Sequence, residues 1–362
     1  GDGPFDNVAE LIYTFPNNNK KAIENISNDS ILCIKDKNGK SMDDKPLFYI
    51  IDTKKKPTDE GFCRYRSFNY GGMEGIEGHD PNNEYRVHGI KMIRGLNIIK
   101  WNYGSMSAPG EPVRFTLPVD NIDAKPSVLY PKSGKWGQYR SHSGVGPDGR
   151  MAYMGGPGKI EAPKDKKGWG VWVALRDEKP VFTGVRVSGG HATWCGFDPD
   201  WYFVHISDKK KRNREWADAI CAGNADGSVL KIIAQPFSRR REGKRVFRGI
   251  PRPNQSPDAT KCWFHSSMLM DTNLNVGSFI VVFRRPHAPT ALTYADGTLS
   301  FTPHKVSREV KNYRLYKRSD DQWRFVTQIS AGENSHKLTT RGDYMLTALE
   351  WSALESDTSS PV

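Results

Sequence analysis

The polar and apolar positions between Ile250 and Met268 predict two short strands joined by a tight turn. Ser256-Pro257-Asp258 supplies the turn chemistry: proline presets one backbone angle and aspartate bonds back to nearby amides. Lys261 to Ser266 then alternates and carries the β-favouring residues Trp263 and Phe264. The same order, a polar turn and then a short apolar strand, recurs at Asp29, Asp80, Asp148, Asp200 and Asp258, with separations of 51, 68, 52 and 58 residues.

Each turn is followed by a strand: Ser30–Ile34, Glu84–His88, Arg150–Met154, Trp201–His205 and Lys261–Ser266. Two more apolar runs follow in each of the first four units: 47–52 and 62–68, 96–101 and 113–119, 170–175 and 180–187, then 217–222 and 229–234. The fifth has 278–283 alone. Val8–Phe15 is strand-like and would supply its missing strand, closing a ring and removing two sheet edges. The spacing is slightly longer than a four-stranded propeller blade of about 40–50 residues. The expectation is therefore five blades.

GVGPDGRMAY at 144–153, QSPDATKCWF at 255–264 and NADGSVLKII at 224–233 resemble the TolB-type, WD-like β-propeller repeats over residues 20–285. That resemblance implies a propeller whose first strands line a central axis. After Arg284-Arg285-Pro286-His287-Ala288-Pro289 the composition changes, and residues 289–362 read as seven short strands. The clearest are 298–303, 313–318, 323–329, 336–340 and 344–351. SREVKNYRLYKR, WRFVTQI and YMLTALEWSALES resemble a fibronectin type III-like module, with Phe301 in a core slot that this family fills with tryptophan. The resulting fold class is all-β: a five-bladed β-propeller over 1–286 and a fibronectin type III-like β-sandwich over 287–362. Such modules imply protein partners at their surfaces.

Composition agrees with many strands and turns: 34 glycines, 23 prolines and 11% aromatic residues in 362. A net charge of +12 points to anionic partners, and it concentrates at Lys209-Lys210-Lys211-Arg212 and Arg239-Arg240-Arg241. The five cysteines form no CxxC, so they mark neither a metal knuckle nor a haem site, and a Cys33–Cys63 bridge is left open. No apolar run is long enough to span a membrane. The absence of an initiator methionine gives the expectation of an exported protein, extracellular or periplasmic.

No GxSxG, HExxH or P-loop pattern is present. Candidate chemistry comes instead from equivalent positions on the predicted first strands. Counting back from the turn prolines selects His142 and Arg252, and His191 if Gly196-Phe197-Asp198 is an insertion. Glu77, Asn254 and Gln255 lie near. Arg252 would clamp a carboxylate or sulfate through paired N–H donors. His142 and His191 would act as acid and base, or hold a divalent metal at the axis. Tyr139 would protonate a leaving oxygen. Arg140 and Trp136, in KSGKWGQYR, would add a cation and a stacking platform. The same polar residues would otherwise fill a hydrated channel.

His88, His205 and His265 recur at a second-strand position and are assigned to packing between blades. Asp148, Asp200 and Asp258 are assigned to turn hydrogen bonding, which leaves too few inward carboxylates for a glycosidase. The expected function is binding, and in an enzymatic version lyase cleavage, of an acidic polysaccharide. The alternative is a non-enzymatic extracellular scaffold or assembly subunit. Nucleic acid ranks third, since no nucleic-acid module accompanies the charge.

Overall fold

The computed structural model describes residues 21–26, 30–35, 46–52, 54–67, 87–93, 96–103, 113–130, 143–155, 170–174, 181–186, 190–194, 197–207, 216, 218–237, 240–241, 244–245, 251–256, 258–268, 277–304, 306, 310–350 and 353–362. They form an all-β protein with almost no helix. No helix among the described residues is long and apolar enough to cross a membrane.

Four antiparallel meanders come first. The first sheet is β1 (Lys21–Ile26), β2 (Ser30–Lys35), β3 (Pro46–Asp52) and β4 (Cys63–Ser67). The second is β5 (Val87–Ile93), β6 (Ile98–Tyr103), β7 (Val113–Pro118) and β8 (Ser127–Tyr130). The third is β9 (Gly144–Val145), β10 (Met151–Gly155), β11 (Gly170–Ala174) and β12 (Val181–Arg186). The fourth is β13 (Gly190–Thr193), β14 (Trp201–Ile206), β15 (Ile220–Asn224) and β16 (Leu230–Ala234). A two-stranded ribbon, β17 (Arg240–Arg241) and β18 (Lys244–Arg245), precedes a three-stranded fifth sheet: β19 (Asn254–Gln255), β20 (Lys261–Ser266) and β21 (Gly277–Val282). The expected closing strand, Val8–Phe15, lies outside the described residues.

Strand positions match the sequence expectation closely in the first, third, fourth and fifth units. The second unit differs. Its first strand is Val87–Ile93, so the runs at 96–101 and 113–119 are second and third strands, and Ser127–Tyr130 is the fourth. The expected turn at Asp80-Pro81-Asn82 lies outside the described residues; between β5 and β6 stands Asn97, which takes a left-handed φ of 50° that asparagine tolerates better than most residues. Its side chain donates to Asp120 at 2.7 Å.

Alternation along each strand stacks neighbouring sheets face to face. Val145, Met151 and Tyr153 of the third sheet pack with Ile93 and Ile98 of the second. Ala152, Val171 and Val173 turn the other way and pack on Ala192, Trp194, Tyr202, Val204 and Cys221 of the fourth. Phe203, Ile220 and Ala222 then meet Cys262 and Phe264 of the fifth. The third and fourth first strands touch backbone to backbone. A Cβ on Gly144 would stand 2.2 Å from the Trp194 amide nitrogen, so only glycine fits. Cys63, Cys221 and Cys262 carry no disulfide, which removes the Cys33–Cys63 bridge, and burial pushes the Cys221 thiol above its ordinary pKa.

Residues 289 onward build a separate core. One sheet joins β22 (Thr290–Ala295), β23 (Thr298–Thr302) and β26 (Ser335–Lys337). The other joins β25 (Gln322–Ser330), β24 (Val310–Ser319) and β27 (Tyr344–Glu350). Between them lie Leu299, Phe301, Tyr313, Leu315, Ile329 and Leu346, with Phe301 edge-on to Tyr313 at 4.7 Å. Sequence predicts seven strands; among the described residues six are regular. The seventh position belongs to the tail, whose Ser356, Ser359 and Val362 amides donate to the Ala348, Leu346 and Tyr344 carbonyls.

Candidate functional site

Turn aspartates set the geometry at one end of the sheets. Asp148 accepts from the Arg150 amide at 3.0 Å, and Asp258 from the Thr260 amide at 3.1 Å and its hydroxyl at 2.8 Å. In the fourth sheet Asp198, not Asp200, takes this role, accepting from the Asp200 amide at 2.6 Å and the Trp201 amide at 3.3 Å. Asp198 is buried and also pairs with Arg284, while His287 Nε2 lies 3.6 Å away. Burial pushes its pKa up. The adjacent His287 imidazole, the Arg284 charge and the Asp200 amide outweigh that and hold it below the ordinary carboxylate value. Arg284 also donates to the Asp258 carbonyl at 2.6 Å. The expected linker at 284–289 is thus pinned against two sheets. A Lys261–Glu350 pair joins the fifth sheet to the C-terminal core, and an Arg285–Asp357 pair joins the linker to the C-terminal tail.

At the other end stands His191, on β13 opposite His205 of β14. The rings stack at 6.0 Å with planes 21° apart. His205 is fully buried, 3.7 Å from Asp218, on the side of the fourth sheet that carries Phe203 and meets the fifth. Rings stacked face to face do not aim their nitrogen lone pairs at one point. Among the described residues no group of three or more His, Cys, Asp or Glu has the geometry to hold a metal ion. The expected metal pair also includes His142, which lies outside the described residues.

Register aligns Arg252 with His191: His205, the partner of His191, stands seven residues past Asp198, and seven residues past Asp258 is His265, which lies opposite Arg252 when the Asn254–Trp263 pairing is continued by two places. Trp194 packs over Gly146, and its indole donates to the Asp198 carbonyl at 3.2 Å.

The fifth sheet separates its residues sharply. Pro251, Pro253 and Gln255 are buried, while Arg252 and Asn254 are exposed. On β20, Cys262, Phe264 and Ser266 are buried against the fourth sheet, while Trp263 is 38% exposed. Gln255 donates to the Trp201 carbonyl at 2.8 Å, tying the two sheets together. The exposed face therefore gathers Arg252, Asn254, Trp263 and His265, bordered by Ile280 and Val282 on β21. Trp263 and His265 meet edge to face at 4.8 Å. Burial, and then the charge of Arg252, lower the His265 pKa below 6.5, so it is neutral at pH 7. An indole face, a guanidinium, an amide and a neutral imidazole together offer stacking, charge and hydrogen bonding to one ligand.

Sequence reading assigned Trp263 no ligand role and His265 to packing. Alternation in KCWFHS already places Trp263 and His265 opposite Cys262 and Phe264. What it lacks is whether anything covers their side. Glu77, Trp136, Tyr139, Arg140 and His142 lie outside the described residues.

No protein-family model matches the chain, and no curated protein matches its sequence. Among solved structures it is similar to an oligogalacturonate lyase in complex with manganese, at 10% identity and TM-score 0.41, over 71% of this chain and 62% of that one. The chain thus spans less than two thirds of that protein's length. It is also similar to a putative TolB from Agrobacterium tumefaciens, at 11% identity and TM-score 0.35, over 76% and 80% of the two chains. An oligogalacturonate lyase from Vibrio parahaemolyticus matches at 10% identity and TM-score 0.38, over 91% and 74%. Similarity of this depth assigns no activity.

Proposed function

We propose that this is an exported five-bladed β-propeller, residues 1–286, followed by a fibronectin type III-like domain, residues 287–362, and that it binds an acidic polysaccharide. Five sheets in chain order, each following its predecessor, support the propeller. For the second domain the support is the strand order and the Tyr344 hydroxyl, which donates back to the Thr340 carbonyl at 2.7 Å, as in the tyrosine corner of such sandwiches.

The observation that carries the function is the grouping of Arg252, Asn254, Trp263 and His265 on the exposed face of the fifth sheet. Trp263 stacks on the apolar face of a sugar ring. Arg252 takes the uronate carboxylate through two parallel N–H donors. Asn254 bonds ring hydroxyls. In the cleaving version, neutral His265 removes the proton α to the carboxylate that Arg252 neutralises, the C4–O bond breaks as a C4=C5 double bond forms, and the departing oxygen takes a proton from solvent. His191, His142 and Tyr139 remain the proposed acid–base residues of a site at the axis itself.

The test is equilibrium binding of a panel of uronate polymers at low salt. Arg252→Ala is expected to lose binding with an unchanged melting temperature; unchanged binding would remove the site. Absorbance of an unsaturated product on the same polymers separates a lyase from a binder. Ile280, 67% exposed, and Val282 favour a second reading, a protein-docking scaffold. That reading expects no polymer binding and self-association that Ile280→Glu abolishes.

A further inference from the structure

The exposed side of β20 ends against the C-terminal core. Lys261, Trp263 and His265 alternate with buried Cys262, Phe264 and Ser266, so they share one side of the strand. Lys261 stands two residues, roughly 7 Å, from Trp263. Its ammonium donates to Glu350, the last residue of β27, whose side chain is fully buried. Across the strand pair Lys261 faces Val282, which borders the same side. The ligand face of the fifth sheet therefore has a wall at its turn end, supplied by the C-terminal core.

A cavity of about 320 Å³ adjoins that wall, lined by Arg285, Ala353, Leu354, Glu355 and Ser356. Two lines of contact tie it to the face. The Glu350 amide donates to the Leu354 carbonyl at 2.9 Å, and the Ala353 amide to the Glu350 carbonyl at 3.0 Å. The residue that holds Lys261 thus also carries one side of the cavity. Arg285 follows Val282 by three residues, and the Phe283 and Arg284 amides between them donate to the Thr260 carbonyl, next to Lys261. The volume lies at the lower end of small-molecule sites, about 300–1,000 Å³. Arg285 is 68% exposed, and its pair with the still more exposed Asp357 is the kind of surface contact that a ligand carboxylate can replace. Glu355 is fixed in place: it accepts from the Tyr316 hydroxyl at 2.7 Å, the Thr347 hydroxyl at 2.5 Å and Arg314 at 2.8 Å. Burial pushes its pKa up, but those hydrogen bonds and the Arg314 charge outweigh it and keep Glu355 ionised at neutral pH. Three donors leave one of about four lone-pair positions for a ligand hydroxyl. Ala353 holds a left-handed φ of 62°, strain that clusters at binding sites.

We propose that this cavity is a second sugar subsite: an acidic chain stacked on Trp263 passes Lys261 and seats a further unit there, with its carboxylate on Arg285 and a hydroxyl on Glu355. This rests on the reading of the Arg252 face as a uronate site. Leu354 and Ala353 give the ring an apolar surface, and Arg285 supplies the charge. The C-terminal core is then part of the binding site and not a spacer. An oligomer long enough to reach both contacts binds more tightly than one that fills the Arg252 face alone, because the second contact is made at high effective concentration.

The experiment compares hexagalacturonate with digalacturonate by isothermal titration at low salt. The full chain is used as wild type, as Arg285→Ala and as Arg252→Ala. Arg285→Ala is expected to bind hexagalacturonate about tenfold more weakly, the worth of one charge-assisted contact, with digalacturonate affinity at the wild-type value. Arg252→Ala weakens both. A second readout locates the contact: phenylglyoxal modification of Arg285, followed by peptide mass spectrometry, should slow several-fold with hexagalacturonate bound and stay unchanged with digalacturonate. Unchanged hexagalacturonate affinity in Arg285→Ala would overturn the subsite. So would an equal loss for both oligomers, or modification of Arg285 at the same rate with hexagalacturonate bound. Arg252→Ala losing neither ligand, while Arg285→Ala loses hexagalacturonate, would sink the Arg252 site and leave the cavity standing. A wild-type protein that binds neither oligomer would overturn both.

Discussion

The two faces of the fifth sheet are built from alternate residues of the same strands, yet they do different work. Toward the fourth sheet, Cys262, Phe264 and Val281 pack against Phe203, Ile220 and Ala222, and Gln255 spends its amide on the Trp201 carbonyl. Toward the other side stand Arg252, Asn254, Trp263 and His265. One residue of phase decides whether a side chain holds the fold or meets a ligand. The difference teaches that an aromatic in a strand is not classified by its type. Phe264 and Trp263 are neighbours, and their burial alone separates a core residue from a platform.

The largest test of this contrast is a pair of truncations. Phe264→Ala is expected to destabilise the protein by about 3–5 kcal/mol, through lost transfer and the cavity left behind. Trp263→Ala is expected to cost less than about 1 kcal/mol. Urea denaturation followed by circular dichroism measures both, and equal losses would erase the distinction between the faces.

Next in size is the hub at the turn end. Arg284→Ala leaves buried Asp198 without its main counter-charge and is expected to cost about 3 kcal/mol. The pH dependence has a definite sign. The Asp198 pKa is lower folded than unfolded, so its contribution is complete above the ordinary value of 3.8. It is lost as pH falls below 3.8 through the depressed value. Acid titration of stability should show that loss in the wild type and a smaller one in Arg284→Ala; a loss beginning near neutral pH would contradict the assignment.

On the exposed face, Arg252→Ala should reduce uronate binding about 10- to 100-fold, the worth of a charge-assisted hydrogen-bonded contact of about 1.5–3 kcal/mol. Its melting temperature should not move, whereas Phe264→Ala should move it. The smallest expected effect is a protonation coupling. His265 has a lowered pKa in the free protein, from burial and then from Arg252. A bound carboxylate beside it offsets the Arg252 charge and raises that pKa. Binding then takes up a proton, and affinity rises as pH falls from 7 through 6.5. The gain is less than about tenfold per unit of pKa change. His265→Gln should flatten that profile; a profile rising with pH would contradict the placement.

Much of this fold was legible from alternation and turn chemistry. The runs SILCIK, MAYMG, WYFVHI and KCWFHS read as strands because their patterns are local. The second sheet was not, because the Asp80-Pro81 pattern does not say which strands pair, and pairing is a tertiary event. Asp198 looked like part of an insertion. Its role depends on Arg284, 86 residues later, which no local pattern carries. At the candidate site, Arg252, Asn254 and Gln255 were visible as polar residues between prolines. That Gln255 faces inward follows from period two, but its Trp201 partner lies 54 residues away. The correspondence between His191 and Arg252 was legible only by allowing extra residues before Asp198, because the connection there is two residues longer than in the third and fifth sheets.

The central claim is that the exposed face of the fifth sheet is the ligand face. Oxidation of Trp263 by N-bromosuccinimide, followed by peptide mass spectrometry with and without saturating polygalacturonate, tests it most directly. Buried Trp194 serves as the internal reference. Ligand should slow oxidation of Trp263 several-fold and leave Trp194 unreactive throughout. Oxidation of Trp263 at the same rate with polymer bound would contradict the claim.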